Sequence, residues 1–368
     1  MRLLNTSSPT LFLEEFNPSN IPAYAILSHR WNDQELSFQD IDHLDVRIRQ
    51  KSGYEKVKRF CERAGRDGYM YAWVDTCCIN KQSSTELSEA INSMFKWYQN
   101  AWICYTYLND VASSGTVLDQ KGLHAQLQGS KWFTRGWTLQ ELIASQDLLI
   151  LDVNWVDIGY KKDMCSILHC ITGIDEAILR GTAKLEKFSI AKRMSWAANR
   201  QTTRPEDIAY SLMGIFNVNM PLIYGEGEKA FLRLQEEIIK NSDDHTIFAW
   251  ERETVSYNNP SGFLAHAPAG FRSSGGIVPT RTTYNKPFDV MNGAIRLNVG
   301  VTCLQTIMLP CRDTARGNQY VSVGIIQNKE KPARHYIRVD PRLTHHRSYW
   351  SFKGTFRNRH VPLYVAKD

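Results

Sequence analysis

The chain has 368 residues, 43% of them hydrophobic, so it can bury at least one large core and is long enough for two domains. No apolar run approaches the roughly 18 residues needed to cross a bilayer, and the opening MRLLNTSSPTLFLEEF is broken by polar residues; this excludes a membrane span and a secretory leader and leaves a soluble, cytoplasmic protein as the expectation. The net charge of +6 is uneven, with 27 Lys and Arg against 31 Asp and Glu in residues 1–250 but 17 against 7 in residues 251–368.

That shift places a domain boundary near residue 250. The basic residues beyond it are dispersed and no nucleic-acid motif accompanies them, so they are expected on a solvated surface and not on nucleic acid. Eight cysteines (61, 77, 78, 104, 165, 170, 303 and 311) include no C-x-x-C pair, so reduced thiols are expected. Cys77 and Cys78 would alternate faces on a strand, which suits small buried hydrophobes better than joint metal ligands. No cysteine is followed by five residues and an arginine, which excludes a phosphatase loop, and no metal site is expected.

Along the chain, AYAILS (23–28) is an unbroken apolar run suited to a strand buried on both faces. Tyr54, Val57, Phe60, Cys61 and Ala64 repeat at helical spacing, and Gly65 and Gly68 mark the exit. YAWVDTCCI (71–79) predicts a second buried strand. Ser83 and Glu86 predict a capping box for a helix whose apolar stripe is Leu87, Ile91, Met94, Phe95 and Tyr98. WICYTYL (102–108) and DLLILDV (147–153) predict the third and fourth strands, with RGWTLQELIA between them. This alternation implies crossover connections and a parallel α/β sheet over residues 1–155.

Residues 156–245 carry helical patterns: MCSILHCITGI, FSIAKRMSWAANR, RPEDIAYSLMGIF and EGEKAFLRLQEEIIK. YGEGEK lacks the spacing of a phosphate loop and carries acids that would repel phosphate, so a turn and helix start are expected. From 246 to 368, short β-prone segments among Gly, Pro, Ser and Asn predict an antiparallel β-rich domain. The histidines 266, 335, 345 and 346 lack a supporting ligand cluster and are expected on the surface.

Function in a parallel sheet gathers at the carboxyl ends of its strands. The residues falling there are Ser28, His29, Arg30 and Trp31, then Asp75 to Lys81 with Cys77 among them, then the stretch leading to Glu141. A helix beginning near Gly136 puts Trp137 and Glu141 on one face at i, i+4. A carboxylate beside an indole suits the stabilisation of positive charge on a sugar carbon losing a cationic base, and the indole face can hold that base. The alternative is structural: Trp137 in the core and Glu141 in an ion pair or facing solvent. Arg30 and Arg135 either clamp a pyrophosphate or pair with nearby acids. Asp75 either accepts ribose hydroxyls or caps the turn of residues 76–80. Ser28 and His29 face apart on a strand, and no G-x-S-x-G elbow exists, so they are not a nucleophile pair.

YAILSHRW (24–31), WVDTCCINKQSSTELSEAINSMFKWYQNAWICYTYLNDV (73–111), SKWFTRGWTLQELIA (130–144) and the segments through SDDHTIFAW (242–250) resemble the fungal heterokaryon-incompatibility (HET) domain over roughly residues 1–250. That family's domain triggers cell death on non-self detection, often at the end of a larger receptor. The HET domain in turn resembles the TIR domain, through ILSHRW and SKWFTRGWTLQEL. The resemblance implies a TIR-like, flavodoxin-like sheet, with Glu141 as catalytic glutamate, Trp137 as a pocket wall, and Ser28, His29, Arg30, Trp31, Asp75, Cys77 and Arg135 around the substrate. It implies NAD+ as substrate with no separate cofactor, cleavage of the nicotinamide–ribose bond, self-association into a homo-oligomer, and an upstream receptor protein as partner. The alternative is a non-enzymatic signalling module that recruits other death-pathway proteins.

Overall fold

In a computed structural model, residues 1–112, 120–252, 262–280, 288–291, 294–297, 306–327, 335–346 and 363–366 are described. They form two units, Met1–Ala183 and Lys184–Asp368.

The first unit is α/β. Its elements in order are β1 (Arg2–Asn5), β2 (Leu13–Glu15), β3 (Ala25–His29), α1 (Phe38–Asp42), α2 (Val46–Arg49), α3 (Ser52–Arg66), β4 (Tyr71–Trp73), α4 (Ser84–Asn100), β5 (Ile103–Tyr107), α5 (Gln120–Gly129), α6 (Thr138–Ala144), β6 (Leu148–Leu151), β7 (Asp157–Tyr160), α7 (Cys165–Thr172) and α8 (Glu176–Leu179). The strands lie in the order β2-β1-β4-β3-β5-β6-β7. The central four, β4, β3, β5 and β6, are parallel, and the outer strands join them antiparallel. All five residues of β3 and all four of β6 are buried, as expected of central strands covered on both faces.

Strand periodicity separates the two faces. Leu27 pairs with Tyr105, whose ring meets Phe60 of α3 at 5.8 Å, so α3 covers the face that Leu27 and His29 share. Ser28 pairs with Thr106 and points to the opposite face, where Trp73 packs edge-on against Trp97 and Tyr98 of α4. Val57, Phe60, Cys61 and Ala64 of α3 are buried as their spacing predicted, and the helix leaves through Gly68 at φ +90°.

Two local expectations change. The second strand stops at Trp73 and does not run to Ile79, because Cys78 N donates to Val74 O at 2.9 Å and closes a turn. Only half of the capping box forms: Ser83 accepts from Glu86 N, while the Glu86 carboxylate is taken by Asn80 N at 2.8 Å and by Arg2 at 2.5 Å.

The second unit holds α9 (Ile190–Ser195), α10 (Asp207–Tyr210), α11 (Met213–Phe216), α12 (Lys229–Lys240) and strands β8 (Ile277–Pro279), β9 (Asp289–Met291), β10 (Ala294–Leu297), β11 (Thr306–Asp313), β12 (Gln319–Gln327), β13 (His335–His346) and β14 (Leu363–Ala366). These strands form a sheet in the order β8-β11-β12-β13-β14-β10-β9. It is antiparallel as predicted, except that β13 and β14 pair parallel through His335↔Tyr364 and Tyr336↔Val365. The helical stretch expected as one piece over 156–245 is shared between the units, because its later part is bound to the second. Ile190 N donates to Asp244 at 2.8 Å, Ser189 to Ile277 O at 2.6 Å, and the Gln235 amide exchanges two hydrogen bonds with the Ala265 backbone.

RPEDIAYSLMGIF is not one helix: Leu212 N bonds back to Ala209 O, a tightened turn that separates α10 from α11. The turn expected at YGEGEK is present, with Gly225 and Gly227 at φ +102° and +61° and both amides donating to Glu206 at 2.8 and 3.0 Å. His266 is half-buried, while the side chains of His335, His345 and His346 lie outside the described residues. Among the described residues, no helix is long and apolar enough to cross a membrane.

Candidate active site

Counted in chain order, the four parallel strands lie 2-1-3-4, so the winding reverses between β3 and β5. Ligand crevices in open parallel sheets form at the carboxyl ends beside such a reversal. Ser28 and His29 end β3 there, opposite Thr106 and Tyr107 of β5.

Glu141 lies in the first turn of α6, which packs on the Ser28 face. The Ser28 hydroxyl donates to the Glu141 carboxylate, and Trp132 Nε1 donates to the Ser28 oxygen at 2.9 Å. The exposures are 0% for Ser28, 1% for Trp132 and 6% for Glu141, so this chain of donors runs through dry protein. Its far end is fastened to the loop after β5. Asp110 accepts from Ser130 Oγ at 2.7 Å and Lys131 N at 2.9 Å, and the Thr138 hydroxyl donates to Trp132 O at 2.6 Å. Trp137 is the half-buried residue just before α6, in helical conformation, one turn from Glu141.

Two further buried groups lie beside α6. Tyr98 donates to Leu27 O at 3.0 Å, and burial, with the Glu141 charge behind it, pushes its phenol well above the usual range. Lys161 donates to the carbonyls of Leu142 and Ser145 at the end of α6, and burial lowers its ammonium to about 8.

His29 points to the opposite face. Its Nε2 lies 3.6 Å from Glu35, which pairs with Lys56 at 2.5 Å. Burial and then the Lys56 charge lower the imidazole, against the pull of Glu35 and Asp75. Burial raises the Glu35 carboxyl, but the imidazole and the Lys56 ammonium outweigh it and bring the group down to about 2. Both ring nitrogens of His29 and Glu35 Oε2 are buried without a hydrogen bond.

The remaining residues meet at the rim. Trp31 is 41% exposed, and its Nε1 donates to Asp75 at 2.9 Å. Lys81 Nζ stands 3.7 Å from the centre of the Trp31 ring and Arg135 Cζ 5.3 Å from it. Cys77 is fully buried, and its thiol is raised by hydrogen bonding to Cys78 and by burial. Arg30 is half-buried. The nine residues singled out by sequence are therefore distributed over two faces and a rim.

Trp132, Tyr98 and Lys161 are the additions, while Lys81 closes the stretch Asp75 to Lys81 already placed at a strand end. Trp132 had a local signal, since it lies five residues before Trp137 in the same aromatic segment. Lys161 sits in a KKD run that looks like solvated surface until the fold buries it. Among the described residues, Cys61, Cys77, Cys78, Cys104, Cys165, Cys170 and Cys311 are free thiols.

Residues 24–128 match the family model described as heterokaryon incompatibility protein (HET). Residues 229–280 match a domain of unknown function (DUF8212). The vegetative incompatibility protein HET-E-1 of Podospora anserina is 49% identical over 225 residues, which is 60% of this chain. The match covers 16% of that protein's own length. No solved structure matches the chain.

Proposed function

From the premise that this chain carries a heterokaryon incompatibility domain, we propose that it is a cell-death effector of fungal non-self recognition that cleaves NAD+ at the nicotinamide–ribose bond. The observation that carries this reading is the Glu141 carboxylate, held by Ser28 at the point where the winding of a parallel sheet reverses. The strand order 2-1-3-4 supports a TIR-like, flavodoxin-like assignment for this sheet.

The chemistry asks little of the protein. Nicotinamide leaves with the bonding electron pair and becomes neutral, while the ribose C1 becomes cationic. A carboxylate in a dry site stabilises that cation far better than one in water. Water then adds to C1 and loses a proton, giving ADP-ribose, nicotinamide and H⁺. Ser28 orients the carboxylate, and Trp132 fixes Ser28. With Glu141 only 6% exposed, a ribose reaches it after the rim opens, and self-association is the proposed means of holding it open.

A second reading has its own observation. Glu141 already accepts a buried hydrogen bond within the domain, as a purely structural acid would, and the chain would then act by recruiting partners, an upstream receptor among them. Concentrated purified protein incubated with NAD+ and assayed for nicotinamide by chromatography separates the two. The enzymatic reading expects release that falls on the order of a hundredfold or more in Glu141→Gln. Equal release by both proteins would reject Glu141, and no release at any concentration would favour recruitment.

A further inference from the structure

The second unit has a cavity of about 730 Å³ of its own, at a place where helices stop. α12 ends at Lys240, α11 turns out through Asn217 at φ +52°, and the chain enters α9 just after Phe188 and Ser189. Phe188, Phe216, Ile238 and Pro279 give the cavity an apolar lining. Its size suits a small molecule, whose sites usually measure about 300–1,000 Å³.

Charges of both signs line that space. Arg193 of α9 has its Cζ 4.7 Å from the centre of the Phe216 ring and donates through Nη1 to Ile215 O at 3.1 Å. Its Nε is buried without a hydrogen bond. Burial lowers the guanidinium, while Asp244 and then Glu186, neither close enough for an ion pair, pull it up. The acids lining the cavity are these two and Asp243. Asp244 is already engaged, accepting from Ile190 N at 2.8 Å and Thr246 N at 2.9 Å. Glu186 and Asp243 are exposed, and neither forms an ion pair among the described residues. A purely anionic ligand would gain Arg193 and face three carboxylates, and a purely cationic one would gain the acids and face Arg193. A ligand carrying both signs satisfies both ends. The volume exceeds that of one amino acid, and the apolar lining asks for apolar side chains between the charges.

We propose that this cavity binds a short apolar peptide by its free ends, with the carboxylate on Arg193, the ammonium on Asp243 and Glu186, and the side chains against Phe188, Phe216 and Ile238. This site does not depend on the NAD+ reading.

The test uses the full chain and calorimetric titration with phenylalanyl-leucine, its N-acetyl form and its C-terminal amide, which share one body and differ in charge. Wild type is expected to bind the free dipeptide saturably and each blocked form at least about tenfold more weakly. The N-acetyl form should be the weakest, because it brings an anion to three carboxylates and no cation. Asp243→Asn combined with Glu186→Gln, both at exposed side chains, is expected to weaken the free dipeptide about tenfold and not to weaken the N-acetyl form. Arg193→Gln is expected to weaken the free dipeptide about tenfold and not the amide. Circular dichroism establishes that each variant is folded, and the amide on wild type tests the Arg193 contact if Arg193→Gln does not fold. No saturable binding of the free dipeptide by wild type, or blocked forms that bind as tightly as it does, overturns the site. So does a free dipeptide that binds the Asp243 and Glu186 variant like wild type.

Discussion

The indole of Trp132 donates to Ser28 at 2.9 Å, joining a turn before α6 to the end of β3 across 104 residues of sequence. Because Ser28 passes a hydrogen bond on to Glu141, it serves two buried groups at once. Ser28→Ala leaves the Trp132 N–H without its acceptor and takes one donor from Glu141. The expected loss is about 1–3 kcal/mol, the cost of one buried group left unsatisfied. Trp132→Phe removes a donor together with its requirement, so its loss comes mainly from packing. Denaturant midpoints measure both, and a Ser28→Ala protein as stable as wild type would show that this relay carries no stabilising free energy.

On the other face of the sheet, Lys56 is 7% exposed and depends on Glu35 for its counter-charge. Glu35→Gln strands that ammonium, and breaking a buried pair in this way costs about 3–5 kcal/mol. The pH dependence has a definite sign. Glu35 is lowered in the folded chain to about 2, so its contribution is present above its ordinary range near 4.5 and is lost as pH falls from there toward 2. Acid titration of unfolding should be flatter across that window in Glu35→Gln than in wild type. Parallel curves for the two proteins would contradict the assignment.

Lys161 gives the same sign of pH dependence at the alkaline end, where a penalty is relieved as pH rises. Burial lowers its folded pKa from 10.5 to about 8, so between those values the unfolded chain binds a proton that the folded chain has released. Stability therefore rises with pH through that window, by about 3 kcal/mol in total for this group. Lys161→Met should lack the rise. Urea unfolding of both proteins under reducing conditions at several pH values between 7.5 and 10 gives the comparison. An alkaline gain of the same size in both would place its origin elsewhere.

The central sheet was legible in the sequence because its strands are continuous apolar runs, and β3, β5 and β6 appear within a few residues of their predicted bounds. The outer strands were not: β1 is four residues with only Leu3 and Leu4 buried, and both ends of β7 are exposed, so neither carries a long run or a clean alternation. Glu141 and Ser28 could be placed at strand ends by counting, whereas their hydrogen bond spans 113 residues and no local pattern encodes it. Trp137 drew attention through its i, i+4 spacing to Glu141, but the indole bonded to Ser28 is that of Trp132, chosen by tertiary approach. Lys161 looked like an ordinary surface lysine, and Lys81 was placed at a strand end without a partner. One became buried against the carbonyls of α6 and the other settled on an indole brought from 50 residues away.

Gly53 offers a test of how tightly the Glu35 cluster is built. It lies in the first turn of α3, with its amide donating to Gln34 O at 3.0 Å. A Cβ added here would lie 2.4 Å from Gln34 O, 2.6 Å from Leu36 N and 2.7 Å from Glu35 Cα. All three are backbone atoms, so no side chain can swing aside, and the segment 34–36 must move. That movement pulls Glu35 from Lys56, which adds electrostatic loss to steric strain. Gly53→Ala normally favours a helix by about 0.5–1 kcal/mol, yet here it should destabilise the protein by at least about 2 kcal/mol, the scale of overpacking a close contact. It should also remove most of the acid dependence assigned to Glu35. Thermal melting at pH 7 and at pH 3.5 measures both effects, and a Gly53→Ala protein that melts with wild type at each pH would mean that α3 does not approach this loop so closely.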